Sequence, residues 1–145
     1  MRHFAFAFLL LAVPAAVAGP VDDVLEEARE SCERFEDGVF EPGDAVQPVD
    51  LTGDGVPETV VDESRFSCSS AASMYCGTGG CMVRAIVGDQ TFSWLAKGWK
   101  AVEWAGDRVL LMQIHGADCG GTNLRRCYEA VVWTDDHFAS VRPSE

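Results

Sequence analysis

Six cysteines, Cys32, Cys68, Cys76, Cys81, Cys119 and Cys127, limit what this chain can fold into more than any other feature. An even number in a short chain, with no Cys-x-x-Cys among them, points to a disulfide framework; zinc ribbons and dithiol exchange use the closer spacing. Disulfides persist outside the reducing cytosol, and the N-terminus reads as an export signal. Arg2 and His3 precede an apolar run over 4–13 and the small-x-small site Ala16-Val17-Ala18. Residues 1–18 are therefore expected to be a signal peptide and 19–145 a single disulfide-stabilised domain, periplasmic or extracellular.

Fifteen pairings of six cysteines are possible, and spacing favours one of them. Cys76 and Cys81 flank the flexible Gly77-Thr78-Gly79-Gly80, and Cys119 and Cys127 would close the base of a long loop. Cys32 is left for Cys68. Closing a longer loop removes more entropy from the unfolded chain, so this third bridge is expected to matter most to stability.

Charge narrows the partners. The sequence has 11 Lys and Arg against 23 Asp and Glu, a net charge of −12, or −13 once Arg2 leaves with the signal. Nucleic acid is excluded, because binding it means neutralising phosphates. Beyond the signal no run approaches the roughly 20 apolar residues of a membrane-spanning helix, so no transmembrane segment is expected there.

Val21, Val24, Leu25, Ala28, Cys32 and Phe35 recur at intervals of three and four, which puts them on one face of an amphipathic helix over 21–35. Glu26, Glu27, Glu30 and Glu33 line its outside, and Asp37-Gly38 ends it. After Val39 the pattern changes to short β-type runs at 59–61, 82–87, 91–95, 101–104, 109–114, 128–133 and 138–141. Short links such as Gly88-Asp89, Ala105-Gly106-Asp107 and Asp135-Asp136 make neighbours antiparallel. The expected fold is α+β: an antiparallel meander of six to seven strands with one N-terminal helix, stapled by disulfides. The runs 109–112 and 130–133 are apolar on both sides, as central strands would be. Trp104 and Trp133 are expected to fill the core.

One stretch carries metal chemistry. Asp50, Thr52, Asp54 and Glu58 place side-chain oxygens at loop positions 1, 3, 5 and 9, Gly55 permits a positive φ, and Val56 offers a backbone carbonyl. Ca²⁺ is a hard cation that takes six to eight oxygens, and such a loop supplies several locally. Residues 50–61 resemble the calcium loop of FG-GAP and VCBS-type repeat proteins, with Thr59-Val60-Val61 as the apolar strand that follows. Thr52 and Glu58 stand where that family usually has Asn or Asp and Asp. The resemblance implies a structural Ca²⁺ held by Asp50, Thr52, Asp54, Val56 and Glu58; the bare alternative is an Asp54-Gly55 turn.

Catalytic signals are weak. No Gly-x-Ser-x-Gly, His-Glu-x-x-His or phosphate loop is present. His115 and Asp118 are the least poor acid–base candidates, and Cys119 as a nucleophile is retired by its expected disulfide. Binding features are clearer. Trp99 lies between Lys97 and Lys100, and Arg125 and Arg126 form the one concentrated positive patch, in a loop that Cys119–Cys127 would pin. Trp and Arg are common interface anchors, and a pinned loop loses less entropy on binding. The expected function is an exported non-catalytic binding or inhibitor-like module, engaging a protein or envelope partner through Trp99, Arg125 and Arg126. The alternatives are a small secreted hydrolase with an unidentified acid–base pair, or a structural envelope component.

Overall fold

The computed structural model describes residues 18–141, so the expected signal peptide, apart from Ala18, lies outside the described residues. Helix α1 (Pro20–Arg34) starts with proline, whose missing N–H costs nothing there, and the Gly19 amide donates to Asp22 Oδ2 at 3.2 Å. Val24, Ala28 and Cys32 are its buried stripe. Phe35 departs from the expected face: it caps the helix in extended backbone and is 48 % exposed. The chain turns away directly afterwards through Glu36 and Asp37, both at positive φ.

Eleven strands follow among the described residues: β1 (Phe40–Glu41), β2 (Val46–Val49), β3 (Glu58–Asp62), β4 (Ser67–Cys68), β5 (Cys76–Gly77), β6 (Gly80–Val87), β7 (Gln90–Ala96), β8 (Gly98–Trp104), β9 (Asp107–Ile114), β10 (Cys127–Thr134) and β11 (His137–Val141). All seven expected strands are present, with each end within three residues of its expected place. Among the described residues the fold is mainly β with a single α-helix, and it is not one meander. One sheet runs β2-β3-β6-β7, with β5 pairing the start of β6 beyond the end of β3. A second runs β8-β9-β10-β11, and β1 pairs β4 separately.

The break between the two sheets falls at Lys97. A hairpin reversal takes at least about two residues, and only Lys97 separates β7 from β8. The chain therefore runs on, and the Lys97 amide donates to the Gln113 carbonyl of β9 at 2.7 Å. Gly80 makes room for this corner: at φ +116° its backbone lies so close to Ala96 that an added Cβ would sit 2.1 Å from the Ala96 carbonyl oxygen.

Period-two alternation then builds two cores. Val60, Val83 and Ala85 of the first sheet face Leu110, Met112 and Val131 of the second. Val61 and Ile86, on the opposite face of the first sheet, meet Val24 and Ala28 of α1 together with Ala45 and Phe66. The order of layers is helix, first sheet, second sheet. Fully burying side chains such as Leu110 and Met112 stabilises by about 1.5–3 kcal/mol each. Trp133 packs edge-to-face on Phe92 and Phe138. Trp104 does not join a core and is 74 % exposed, because its row on β8 faces away from the first sheet. The disulfides are Cys32–Cys68, Cys76–Cys81 and Cys119–Cys127, the pairing that spacing favours, and all six cysteines are used.

Candidate functional site

The loop between β9 and β10 is built to hold a shape. His115 caps a short 3-10 turn (Gly116–Cys119), its Nδ1 accepting from the Ala117 amide at 3.1 Å. The loop then folds back on itself: the Gly121 amide reaches the Gly116 carbonyl at 2.9 Å, and the Arg125 amide reaches the Thr122 carbonyl at 2.9 Å. Gly116 is needed where it stands, since an added Cβ would lie 1.9 Å from the Thr122 carbonyl oxygen. Cys119–Cys127 joins the turn to β10, and Lys97 Nζ donates to the Asn123 carbonyl at 2.6 Å and to its side-chain oxygen. What this frame presents to solvent is Leu124, 92 % exposed, followed by the exposed Arg125 and Arg126. Neither arginine makes an ion pair among the described residues. Leu124 is the exposed apolar residue that sequence reasoning passed over, although a lone apolar residue beside two arginines in a polar loop was a readable signal.

Trp99 is placed differently. It packs against the inter-sheet core, and its indole N–H donates to Asp62 Oδ2 at 3.0 Å. Asp62, 8 % exposed, also accepts from the Ser64 amide at 3.0 Å. The indole is thus directed to the end of β3 and not to the arginine loop.

His115 and Asp118 come together at a cavity of about 240 Å³, with Ser93, Trp94 and Glu129 also in its wall. Glu129 is 2 % exposed. Alternation could have flagged it, because it stands between the core residues Cys127 and Val131 on one strand. The chemistry at His115 is restricted. Its Nδ1 lone pair is taken by the Ala117 amide, so the neutral ring carries its proton on Nε2 and presents a donor, not a base, on that side. No hydrogen bond joins Ser93 to His115 among the described residues.

In the 50–58 loop the oxygens turn inward. Glu58 Oε2 accepts from the amides of Leu51 (2.6 Å) and Thr52 (3.1 Å), while Oε1 accepts from the Thr52 hydroxyl at 3.2 Å. Asp50 Oδ1 accepts from the Gly53 amide at 2.8 Å, its Oδ2 lies 3.6 Å from Arg108 Nε, and Asp54 Oδ1 accepts from the Val56 amide at 2.7 Å. Among the described residues no three His, Cys, Asp or Glu side chains converge where they could hold an ion. In this arrangement the donor set does not fit a calcium shell: the loop's own amides take the carboxylates, and a guanidinium sits beside the first of them.

The outward side of the second sheet is apolar. Val102, Trp104, Val109, Leu111, Ala130 and Val132 line a shallow depression of about 370 Å³ there. The runs 109–112 and 130–133 lie in the two central strands of this sheet, as their two-sided apolarity predicts. Among the described residues no element packs over that side.

No family model, curated protein or solved structure matches the chain, so the functional reading rests on this geometry.

Proposed function

We propose that this is an exported, non-catalytic binding module of inhibitor type, which engages an acidic protein or envelope partner through Leu124, Arg125 and Arg126. The observation that carries the reading is the loop frame. A disulfide, a lysine clamp and two internal amide-to-carbonyl hydrogen bonds brace the loop that carries a solvent-facing Leu-Arg-Arg. Preorganisation of this kind lowers the entropic cost of association, and arginine anchors supply bidentate contacts to carboxylates. Three disulfides with no free cysteine among the described residues agree with an oxidising compartment. Among the described residues no helix is long and apolar enough to cross a membrane.

The test is capture of partners from an envelope extract on immobilised, oxidised protein, wild type against Leu124→Ala/Arg125→Ala/Arg126→Ala. Loss of the captured protein with the triple variant, and elution of the wild-type complex by salt, supports the reading. Equal retention by both removes it.

The hydrolase alternative draws on one observation, the convergence of His115, Asp118 and Glu129 on one cavity. It requires turnover that His115→Ala abolishes; the restricted Nδ1 of His115 is the reason to place it second. The 50–58 loop is read as a self-closed turn that fixes the entry to β3. Calcium binding there would require Glu58 to release two amides and Asp50 to part from Arg108.

A further inference from the structure

We propose that the outward face of the β8–β11 sheet is a self-association surface that takes a second copy of this chain, packed face to face and antiparallel. Alternation sets the face. Leu110, Met112 and Val131 point into the core, so their neighbours Leu111, Ala130 and Val132 point outward, and the strand register brings them side by side. Leu111 pairs with Ala130, and Val109 pairs with both Val102 and Val132. Trp104 extends this row at 74 % exposure. A continuous apolar patch on an otherwise acidic molecule of net charge −12 marks an interaction site.

The charges at its two ends identify the occupant. At one end lie the β8–β9 and β10–β11 hairpins, with the exposed Asp107, Asp135 and Asp136. At the other end the outward row of β10 continues back from Tyr128 to the exposed Arg126. None of these four makes an ion pair among the described residues. A two-fold axis lying in the plane of the face, across the strands, stacks β10 on its own copy with the ends exchanged. Arg126 of each molecule then lies over Asp135 and Asp136 of the other, and the apolar centres meet. Such a face is self-complementary, as a two-fold interface must be. An axis along the strands would instead place like charges over like, which the acidic molecule disfavours.

Size is adequate for a modest dimer. Seven residues of strand and four strands give a face about 20 Å by about 19 Å. Two copies occlude on the order of 800 Å² of projected surface, close to the roughly 1,000 Å² of a specific interface, and side-chain relief adds to it. A reversible dimer with Kd in the range of about 1–100 µM is expected.

Sedimentation velocity on the disulfide-intact protein, from about 1 µM to about 200 µM, tests this. The wild type should pass from monomer to dimer across that range. Leu111→Lys, at the centre of the face, should weaken dimerisation at least about tenfold with an unchanged far-UV spectrum and melting temperature. Arg126→Glu, outside the sheet, and Asp136→Asn, which keeps a residue tolerant of positive φ, should each weaken it several-fold at low salt. Leu124→Ala with Arg125→Ala, which keeps the Arg126 that both readings use, should leave it intact while lowering partner capture, so the partner-loop reading and this one fail separately. A wild type that stays monomeric throughout, or a dimer that Leu111→Lys leaves at the same Kd, overturns the proposal.

Discussion

Glu58 closes the 50–58 loop, and its removal should destabilise more than a surface turn. Its carboxylate accepts two backbone amides and one hydroxyl, and the nearest amide, at 2.6 Å, belongs to Leu51. Leu51 is 2 % exposed and its side chain joins the inter-sheet core, so its amide has little water to turn to once the acceptor is gone. Hydrogen bonds to a charged group contribute about 1.5–3 kcal/mol each, and at a half-buried site the lower figure applies. Two amide bonds at that value give about 3 kcal/mol for Glu58→Ala, or about 12 °C in melting temperature for a domain of this size. Glu58→Gln keeps the shape and one neutral carbonyl acceptor, so it should lose about half as much. Urea denaturation of the oxidised protein at neutral pH measures both. A Glu58→Ala variant within about 0.5 kcal/mol of wild type would mean that the carboxylate does not hold these amides in solution. Run with millimolar Ca²⁺ and again with EDTA, the wild type should melt at one temperature. A calcium-dependent rise that both variants abolish would restore the ion to the loop.

Replacing Cys32 and Cys68 by alanine opens a 36-residue span and should cost about 4 kcal/mol, against about 2 kcal/mol for Cys76 and Cys81, five residues apart, as read from denaturation midpoints. Burial, and then the nearby charge of Glu63, hold the Tyr75 phenol above its usual range, and the protonated hydroxyl donates to the Ala28 carbonyl at 2.9 Å. Above the ordinary tyrosine pKa the folded state keeps a proton that the unfolded chain loses. This stabilisation is complete below about pH 10 and is lost as pH rises further. Melting temperatures from pH 8 to 11 should therefore fall more steeply for wild type than for Tyr75→Phe, and equal slopes would contradict the assignment. Trp99→Phe removes the indole donor to Asp62 and should cost about 1 kcal/mol while leaving partner capture unchanged, since Trp99 is committed to the fold.

How far each feature was legible follows from the range of the interaction behind it. The α1 stripe, the seven longer strands and the hairpin turns are local, and their periodicity is written in consecutive residues. The two-residue strands Phe40–Glu41, Ser67–Cys68 and Cys76–Gly77 have no period to detect; they exist because a partner lies alongside. Val46–Val49 contains Pro48, which a strand tolerates at a sheet edge, and its position at that edge is a tertiary fact. Trp99 and Trp104 illustrate the same limit. Both are tryptophans on β8, yet one hydrogen-bonds Asp62 while the other stands 74 % exposed. The parity of five residues between them sets their opposite faces, but which face is covered depends on where the first sheet lies.

Cysteine number, charge, the amphipathic helix and the succession of the longer strands along the chain are properties of neighbours, and they needed nothing beyond the linear message. Three-dimensional packing made the remaining choices. The single-residue link at Lys97 divides the strands into two sheets, Glu58 turns to the amides of its own loop, and Leu124-Arg125-Arg126 is left standing on a braced frame. The physical reason is common to all three: each depends on which distant group occupies the space beside a residue, and sequence spacing carries no record of that.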